Sequence, residues 1–401
     1  MTTYDFDTII DRRGTDCVKY DIFDSPDLLS LWVADMDFAA PPAVVQALTE
    51  RLQHPIFGYT MDMPRLREVI CERLARLYNW QVTPDEIVFL PGVVAALNAS
   101  MRAVSEPGDN VLIHTPIYPP FLASPEKNRL HSNTVPLTPV VTDGILRYEI
   151  DFDAFEAAIN DGTKLFALCS PHNPTGRIWT PDELRRMAEI CIAHDVVICS
   201  DEIHADLVFE PHTPTATLSP EIAQNTITLM APSKTYNIPS LGFSFAVIQN
   251  ADLRARFVAA EGFVVPHVGV LGYTAALGAY TGGDEWLAQV IDYLRENRDL
   301  TTRTITEHMP QIIPTHPEGT YLTWLDCRDL PALNGDADAA GSEFLKWIEP
   351  FFLKQANVAL NNGLLFGEDG VGFARLNFAL PRSQLREALE RMRRALEAAT
   401  G

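Results

Sequence analysis

Three apolar runs in this 401-residue chain are each followed, within a few residues, by a polar side chain that can do chemistry. The runs and the side chains that follow them are 164–169 with Asn173, 195–199 with Asp201, and 226–230 with Lys234. Short continuous apolar runs are typical of buried strands. In an open α/β sheet, ligands bind in the crevice outside the carboxyl ends of the strands. The sequence therefore predicts that an amide, a carboxylate and an amine converge on one crevice.

The chain is long enough for two domains, and its pattern of apolar runs favours an α/β fold. Helix-like segments separate several of the runs, which predicts a mostly parallel, doubly wound sheet in a large domain. A glycine pair at 282–283 marks a boundary, after which a smaller α+β domain is expected. The predicted division is an N-terminal arm at residues 1–45 that joins the small domain, a large domain at 46–284, and the small domain at 285–401.

The three polar side chains have a joint chemical meaning. A lysine can form a Schiff base with the aldehyde of pyridoxal 5'-phosphate (PLP), and an acid beside the pyridine nitrogen keeps that nitrogen protonated as an electron sink. Lys234 suits the first role, Asp201 suits the second, and Asn173 suits the ring hydroxyl. Lys234 and Asp201 each have an ordinary alternative, because a lysine after a strand is usually a surface residue and an aspartate can cap a helix. Their matching positions favour a PLP-binding domain.

Motifs around these residues carry a resemblance to a known family. Asn173-Pro-Thr-Gly176, Asp201-Glu-Ile-His204 and Ser233-Lys234-Thr resemble the fold type I PLP enzymes, the aminotransferase class I/II superfamily. Further motifs resemble its MalY/PatB-type cystathionine β-lyases, or C–S lyases. They are Arg13-Gly-Thr-Asp-Cys-Val-Lys-Tyr20, Leu31-Trp-Val-Ala-Asp-Met-Asp-Phe38, Phe57-Gly-Tyr-Thr60, Pro317-Glu-Gly-Thr-Tyr-Leu322 and Phe373-Ala-Arg-Leu-Asn-Phe378. The resemblance covers nearly the whole chain, and the order of the motifs makes it specific.

The cofactor phosphate has a candidate site where Gly92 leads into a predicted helix that begins at Val93. A helix N-terminus presents free N–H groups and the positive end of a dipole, so Gly92, Val93 and Val94 are expected to bind the phosphate. Ser233 is a further phosphate candidate. Many fold type I enzymes carry an arginine eight residues after the lysine, but this chain has Gly242 there. The phosphate is therefore expected to rely on backbone groups, Ser233 and a residue from elsewhere.

The resemblance assigns cofactor roles to three more residues. Tyr118 is expected to stack on the PLP ring and is counted with Lys234 as catalytic. His204 is expected beside the cofactor. Tyr59 is expected to reach the phosphate of the cofactor in a partner subunit, which implies a homodimer with shared active sites.

Arg375 is the candidate for binding the substrate. It lies in an apolar run, and arginine is seldom buried without a partner. Its planar fork suits a carboxylate, and the resemblance implies that it holds the α-carboxylate of an amino acid. Asn173 and the backbone of Ala34 are expected to join it there. A structural salt bridge is the alternative for Arg375.

The resemblance alone selects the reaction. It implies a PLP-dependent C–S β-lyase that converts cystathionine, or a related S-substituted cysteine, to a thiol, pyruvate and ammonia by β-elimination. Lys234 would remove the α-proton, and Asp201 would stabilise the resulting carbanion through the ring nitrogen. An aminotransferase needs the same residues and is the first alternative. A regulatory or interaction protein on the same fold is the second.

Composition argues against several other functions. Lys and Arg number 31 and Asp and Glu number 53, a net charge of −22, whereas nucleic acids and anionic membranes attract basic surfaces. No apolar run approaches the about 20 residues of a membrane-spanning helix, and the acidic N-terminus lacks the pattern of a signal peptide. The six cysteines form no Cys-x-x-Cys pair, so no metal site is predicted and a cytoplasmic location is expected.

Overall fold

The computed structural model of the chain describes residues 2–23, 25–262, 264–330 and 351–400. The strands are β1 (Leu29–Ser30), β2 (Ile87–Leu90), β3 (Asn110–Thr115), β4 (His131–Pro136), β5 (Thr138–Thr142), β6 (Ile145–Glu149), β7 (Thr163–Cys169), β8 (Val197–Asp201), β9 (Thr226–Met230), β10 (Ser244–Val247), β11 (Ile313–Pro314), β12 (Leu322–Asp326), β13 (Val358–Ala359), β14 (Asn361–Asn362) and β15 (Phe373–Asn377).

The helices connect these strands and flank them. They are α1 (Val18–Asp21), α2 (Pro42–Leu52), α3 (Pro64–Tyr78), α4 (Val93–Val104), α5 (Pro119–Lys127), α6 (Phe152–Ala157), α7 (Pro181–Ala193), α8 (Pro220–Gln224), α9 (Pro232–Thr235), α10 (Ala251–Glu261), α11 (Val270–Gly282), α12 (Asp284–His308) and α13 (Arg382–Thr400).

The large sheet has seven strands in the order β2-β10-β9-β8-β7-β3-β4. Strand β10 runs antiparallel to both of its neighbours, and the other strands run parallel to one another. Along β3, Val111 and Ile113 join an apolar cluster that includes side chains of α4, α5 and α10. Leu112, between them, joins a second cluster with side chains of α6 and α7. Because successive strand residues face opposite sides, helices cover both faces, and the predicted doubly wound sheet is confirmed.

The second sheet is antiparallel and has the order β11-β12-β15-β14. It is formed by residues after the long helix α12, and α12 contacts α13. Strand β1 pairs in parallel with β13, with Leu29 opposite Val358, so the N-terminal segment joins the C-terminal part of the chain. The division into an arm and two domains stays a prediction, and the two sheets are the structural units that it concerns.

The sequence pattern predicts strands at 241–248 and 319–325 and a helix near 342–356, and the described residues differ from each of these expectations. The strand expected at 319–325 begins only at Leu322, because Thr320 lies in the left-handed region and donates its N–H to the carbonyl of Leu207. The strand expected at 241–248 is shortened to Ser244–Val247 by a 3₁₀ turn and by Gly242, whose φ is +56°. Of the helix expected at 342–356, residues 342–350 lie outside the described residues, and Phe352–Ala356 is a π-helical turn.

None of the described helices is long and apolar enough to cross a membrane. Within the same ranges, His, Cys, Asp and Glu side chains form no cluster of three or more that could hold a metal ion.

Candidate active site

Lys234 lies on the short helix α9, directly after the buried strand β9. Pro232 opens this helix, where its missing N–H costs nothing. The Nζ of Lys234 donates a hydrogen bond of 2.6 Å to the carbonyl oxygen of Ala34. Burial, with Arg375 nearby, lowers the pKa of Lys234 from 10.5 to about 8. An amine with this pKa is partly neutral near neutral pH, as a basic or nucleophilic lysine must be.

Asp201 is the last residue of the neighbouring strand β8 and is buried. Burial raises the pKa of its carboxyl group from 3.8 to about 7, although the N–H of Ile203 donates to its Oδ1 at 3.1 Å and Lys234 also favours the charged form. Among the described residues, no lysine, arginine or histidine forms an ion pair with the Asp201 carboxylate, in contrast to the paired Asp35 and Asp37. A buried acid of this kind can stabilise a positive charge brought to it by a ligand.

Asn173 follows β7, whose last residue Cys169 pairs with Asp201, so the two strand ends are adjacent. The Oδ1 of Asn173 accepts a hydrogen bond of 3.1 Å from Arg375, which lies on β15 of the antiparallel sheet. The carboxyl ends of β7, β8 and β9 and one strand of the second sheet therefore meet at one place. Sequence reasoning predicted the first three, and the structure adds the direct contact between Asn173 and Arg375.

Arg375 is a buried cation with an unusual set of partners. Its guanidinium donates to Asn173, to the carbonyl of Trp32 at 2.8 Å and to the Oδ1 of Asn361, and it lies over the ring of Phe366 at 4.9 Å. Every one of these partners is neutral, and no carboxylate of the described residues forms an ion pair with it. Burial lowers its pKa to about 10. This arrangement disfavours a structural salt bridge and leaves the positive charge available to an anionic ligand.

The predicted phosphate site lies at the start of helix α4. Gly92 is the N-cap residue with extended backbone, Val93 is the first helical residue, and no side chain caps the helix. The first N–H groups, including those of Val93 and Val94, are thus free for an anion, as at other helix N-termini. Gly242 lies close by, because a Cβ added to it would come within 3.4 Å of the Pro91 carbonyl. Its φ of +56° lies in the left-handed region, which glycine adopts more readily than other residues.

Tyr118 and His204 lie near the same residues. Tyr118 is the N-cap residue of α5 and interacts electrostatically with Arg375 and Asp201, while burial raises the pKa of its hydroxyl. His204 is buried against the ring of Tyr321, with the centroids 6.0 Å apart. Burial, with Lys234 and Arg375 nearby, lowers the pKa of His204 to about 3, so its ring is neutral at physiological pH.

Ser233, Ala34 and Tyr59 are the remaining predicted site residues. Ser233 immediately precedes Lys234 on α9 and is partly exposed. Ala34 lies at the site, but its carbonyl accepts from Lys234 and from the hydroxyl of Tyr321 at 2.8 Å, so its predicted contact with a substrate carboxylate stays a prediction. Tyr59 is fully exposed in the loop before α3 and is separate from the other candidates in this chain.

Sequence reasoning assigned no role to three residues that the structure places at the site. Trp32 and Tyr321 lie inside motifs that carried the family resemblance. The motifs could therefore have indicated that these residues lie near the site, but not which groups they contact. Asn361 lies outside the motifs of the family resemblance. Its position directly after the apolar residues 358–360 is the sequence feature that indicates a buried polar side chain.

The residues present fit PLP. Lys234 with its lowered pKa matches the aldehyde, and the buried Asp201 carboxylate, which has no ion-pair partner within the described ranges, matches a protonated ring nitrogen. The N-terminus of the twelve-residue helix α4, which has no side-chain cap among those same residues, matches the phosphate. The Arg375 guanidinium, whose partners among the described residues are all neutral, matches the carboxylate of an amino acid. This donor set therefore suits both an amino acid and the cofactor that acts on it.

Curated relatives align with almost the full chain. Cystathionine beta-lyase PatB of Bacillus subtilis (strain 168) is 38% identical over 399 residues, covering 98% of this chain and 99% of the relative. Protein MalY of Escherichia coli (strain K12) is 34% identical over 413 residues, with coverage of 98% and 99%. The resemblance to MalY/PatB-type proteins is thus confirmed.

Solved structures give the same result for the fold. A PLP-bound putative aminotransferase from Clostridium difficile 630 superposes with a TM-score of 0.91 at 35% identity, covering 98% of this chain and 100% of that one. A PLP-bound C-S lyase from Staphylococcus hominis superposes with a TM-score of 0.88 at 32% identity, with coverage of 98% and 99%. The model of the family described as aminotransferase class I and II matches residues 26–392. On this match and these relatives, the chain belongs to the aminotransferase class I and II family.

Proposed function

We propose that this protein is a PLP-dependent C–S β-lyase that cleaves cystathionine or a related S-substituted cysteine to a thiol, pyruvate and ammonia. The observation that carries the proposal is the convergence of Lys234, Asp201, Asn173 and Arg375 at one place. The named relatives select the reaction, since PatB is named a cystathionine beta-lyase and the Staphylococcus hominis structure is a C-S lyase.

Several groups of the chain would hold PLP. Lys234 would bond to it through Nζ, Asp201 would keep its ring nitrogen protonated, Asn173 would bind the ring hydroxyl, and Tyr118 would contact the ring. The N–H groups at the start of α4 and the hydroxyl of Ser233 would bind the phosphate. When bound, PLP supplies an electron sink that stabilises negative charge at the α-carbon of the substrate.

The residues of the chain then bind the substrate and accept its α-proton. Arg375, supported by Asn173, binds the α-carboxylate and so fixes the orientation of the substrate. Lys234 accepts the α-proton at Nζ, which its lowered pKa allows near neutral pH. The thiol departs from Cβ, and the remaining three-carbon fragment is hydrolysed to pyruvate and ammonia.

An aminotransferase is the second candidate, and one observation favours it. The Clostridium difficile structure, which superposes with a TM-score of 0.91, is that of a putative aminotransferase. Both reactions begin with removal of the α-proton by the lysine, so Lys234, Asp201 and Asn173 serve either one equally well. The two are separated by the fate of the substrate: elimination needs a leaving group at Cβ, whereas amino transfer needs a second substrate, a 2-oxo acid.

A homodimer is part of the proposal. Tyr59 is fully exposed, and Ile56, Phe57 and Met61 in the same loop are exposed as well, an apolar stretch of the kind that subunit interfaces cover. Tyr59 would contact the phosphate in the partner subunit, where Gly242 leaves a charged partner missing. A cytoplasmic location is also proposed, supported by six cysteines that are all free thiols.

A panel of thioether amino acids tests the proposed function. Cystathionine, cystine and S-methylcysteine should each yield pyruvate, with kcat/KM values that identify the preferred leaving group. Alanine, which has no leaving group at Cβ, should yield none. Binding of PLP without pyruvate from any of the thioethers would contradict the proposal and favour an aminotransferase or, if no amino acid is turned over with a 2-oxo acid present, a regulatory or interaction protein.

A further inference from the structure

The loop 33–38, which carries Ala34, is bonded to Asn237. Asn237 lies three residues after Lys234 and accepts the N–H of Met36 at 3.0 Å. Its Nδ2 donates to the carbonyls of Met36 at 2.9 Å and Phe38 at 2.8 Å. The turn that carries the lysine is therefore bonded directly to the loop that carries its acceptor.

A second asparagine holds the other end of the same loop. Asn377, at the end of β15, donates to the carbonyls of Val33 at 2.6 Å and Asp35 at 2.7 Å. These two carbonyls are those immediately before and after Ala34. Asn377 is 1% exposed, so its amide has no competing contact with water.

Charged residues of the N-terminal segment fix the acidic side chains of the loop. Arg12 pairs with Asp35 at 2.6 Å and with Asp37 at 2.6 Å, and Lys19 pairs with Asp37 at 2.9 Å. The Nζ of Lys19 also donates to the carbonyl of Asp35 at 3.2 Å. Lys19 is 1% exposed, and burial of a cation is costly unless it is fully paired. The two N-terminal motifs that carried the family resemblance thus meet in one ion cluster.

The Ala34 carbonyl accepts hydrogen bonds from active-site side chains and not from the two asparagines. The carbonyls of Val33, Asp35, Met36 and Phe38 accept from asparagine side chains, while that of Ala34 accepts from Lys234 and Tyr321. With both neighbouring carbonyls bonded, the Ala34 carbonyl cannot rotate without breaking several buried hydrogen bonds. Its oxygen is therefore a fixed acceptor for the lysine amine.

We propose that Asn237 and Asn377 are positioning residues that hold the Ala34 carbonyl against Lys234, so that the lysine amine, when it is not bonded to the cofactor, is directed to one place and keeps its affinity for a proton. This inference rests on the proposed function for the role of Lys234, but the hydrogen bond itself exists without cofactor or substrate. A carbonyl acceptor stabilises the charged form of an amine, so its loss should make Lys234 more acidic.

Other groups around Lys234 set the background for this effect. Asp35 of the loop and Asp201 of β8 favour the charged amine, and Arg375 of β15 disfavours it. His204, after β8, and the hydroxyl of Tyr321 complete the surroundings, and neither is charged at neutral pH, since burial lowers the pKa of the first and raises that of the second. The asparagine variants change none of these ionisable groups.

Competitive labelling of the PLP-free protein with acetic anhydride measures the proton affinity of Lys234 directly. Mass spectrometry of the Lys234 peptide, from about pH 6 to about pH 10, brackets the titration of the amine. The variants are Asn237→Gly, which suits the φ of +55° at this position, and Asn377→Ala. Asn225→Ala is the control, because Asn225 also donates to a backbone carbonyl, that of Val196, at the amino end of β8.

The pKa of Lys234 should fall by about one unit in each active-site variant, which is the effect of losing one hydrogen bond to a charged group. The control should keep the wild-type value. Unchanged pKa values in both variants would overturn the proposal, whatever the outcome of the lyase assays. A crystal structure of the PLP-free wild type gives a test that needs no variant: Nζ within hydrogen-bond distance of the Ala34 oxygen supports the proposal, and a separation beyond about 4 Å contradicts it.

Discussion

Arg375 donates a hydrogen bond of 3.1 Å to the side-chain oxygen of Asn173, and this contact joins the antiparallel sheet to the crevice of the parallel one. Asn173 is an uncharged partner, so the contact fixes the guanidinium without neutralising it. The remaining positive charge is buried and has no carboxylate in an ion pair among the described residues. The arrangement explains how one site could hold a cofactor on one sheet and recognise an amino acid from the other.

Replacing Arg375 with alanine should lower kcat/KM for cystathionine by roughly 30-fold or more, because losing one partner of a buried charge pair costs about 2–5 kcal/mol, at about 1.4 kcal/mol per decade. The PLP content should stay at the wild-type level. Arg328→Ala is the matched control, since Arg328 also lies over an aromatic ring, that of Phe373, but already pairs with Asp326. A near-normal kcat/KM for Arg375→Ala would show that the carboxylate binds elsewhere.

Asp201 should make the stability of the PLP-free protein depend on pH. Its pKa is raised in the folded state, from 3.8 to about 7, so the folded protein binds more protons than the unfolded chain between these values. Stability from this group is therefore fully present below about pH 4 and is lost as the pH rises through about 7, by on the order of 4 kcal/mol.

Urea unfolding of the PLP-free wild type and Asp201→Asn across this range measures the effect. The variant should gain stability relative to wild type as the pH rises, because its neutral amide cannot ionise. Asp182→Asn changes an exposed aspartate and should follow the wild-type curve. Parallel curves for wild type and Asp201→Asn would mean that Asp201 titrates normally.

Borohydride reduction of the PLP-loaded protein should attach the cofactor to the peptide that contains Lys234, since reduction makes the lysine–cofactor bond permanent. Lys234→Ala should lose this labelling and the yellow colour. Lys164→Ala should keep both, although the Lys164 amine also bonds to a backbone carbonyl, that of Asp161. Label found on another lysine would remove the basis for the assigned role.

Tyr59→Phe and Lys234→Ala should partly complement each other when they are mixed, unfolded and refolded together. In a mixed dimer with shared sites, one site would contain both wild-type residues, and the other would contain neither. Lyase activity of the mixture should therefore exceed that of either parent. Activity no higher than the parents, or a fully active monomer in sedimentation, would argue against Tyr59 acting across subunits.

Strand ends could be predicted from the sequence because buried parallel strands are short apolar runs with sharp polar ends. Asn173, Asp201 and Lys234 each follow such a run, and the fold brings their strand ends side by side. A PLP site could be predicted from these three residues because an amide, an acid and an amine together suit this cofactor. The fold class and the family followed from this pattern together with the motifs.

Hydrogen bonds between residues that are distant in sequence could not be predicted in the same way. The hydrogen bonds of Arg375 to Trp32 and Asn173, and that of Lys234 to Ala34, join segments far apart in sequence. No sequence pattern predicts such contacts, because each depends on how distant segments pack together in the folded chain. For the same reason, the contacts of Asn237 and Asn377 could not be predicted, because they form only when the loop 33–38 is folded against both side chains.

Incubation of the purified protein with cystathionine and no 2-oxo acid is the most direct test of the lyase reaction. We predict pyruvate, ammonia and homocysteine in equal amounts over many turnovers, with the cofactor remaining as PLP. The contrary result is turnover that stops after one equivalent, converts the cofactor to pyridoxamine phosphate, and resumes when 2-oxoglutarate is added. That outcome would establish amino transfer in place of β-elimination.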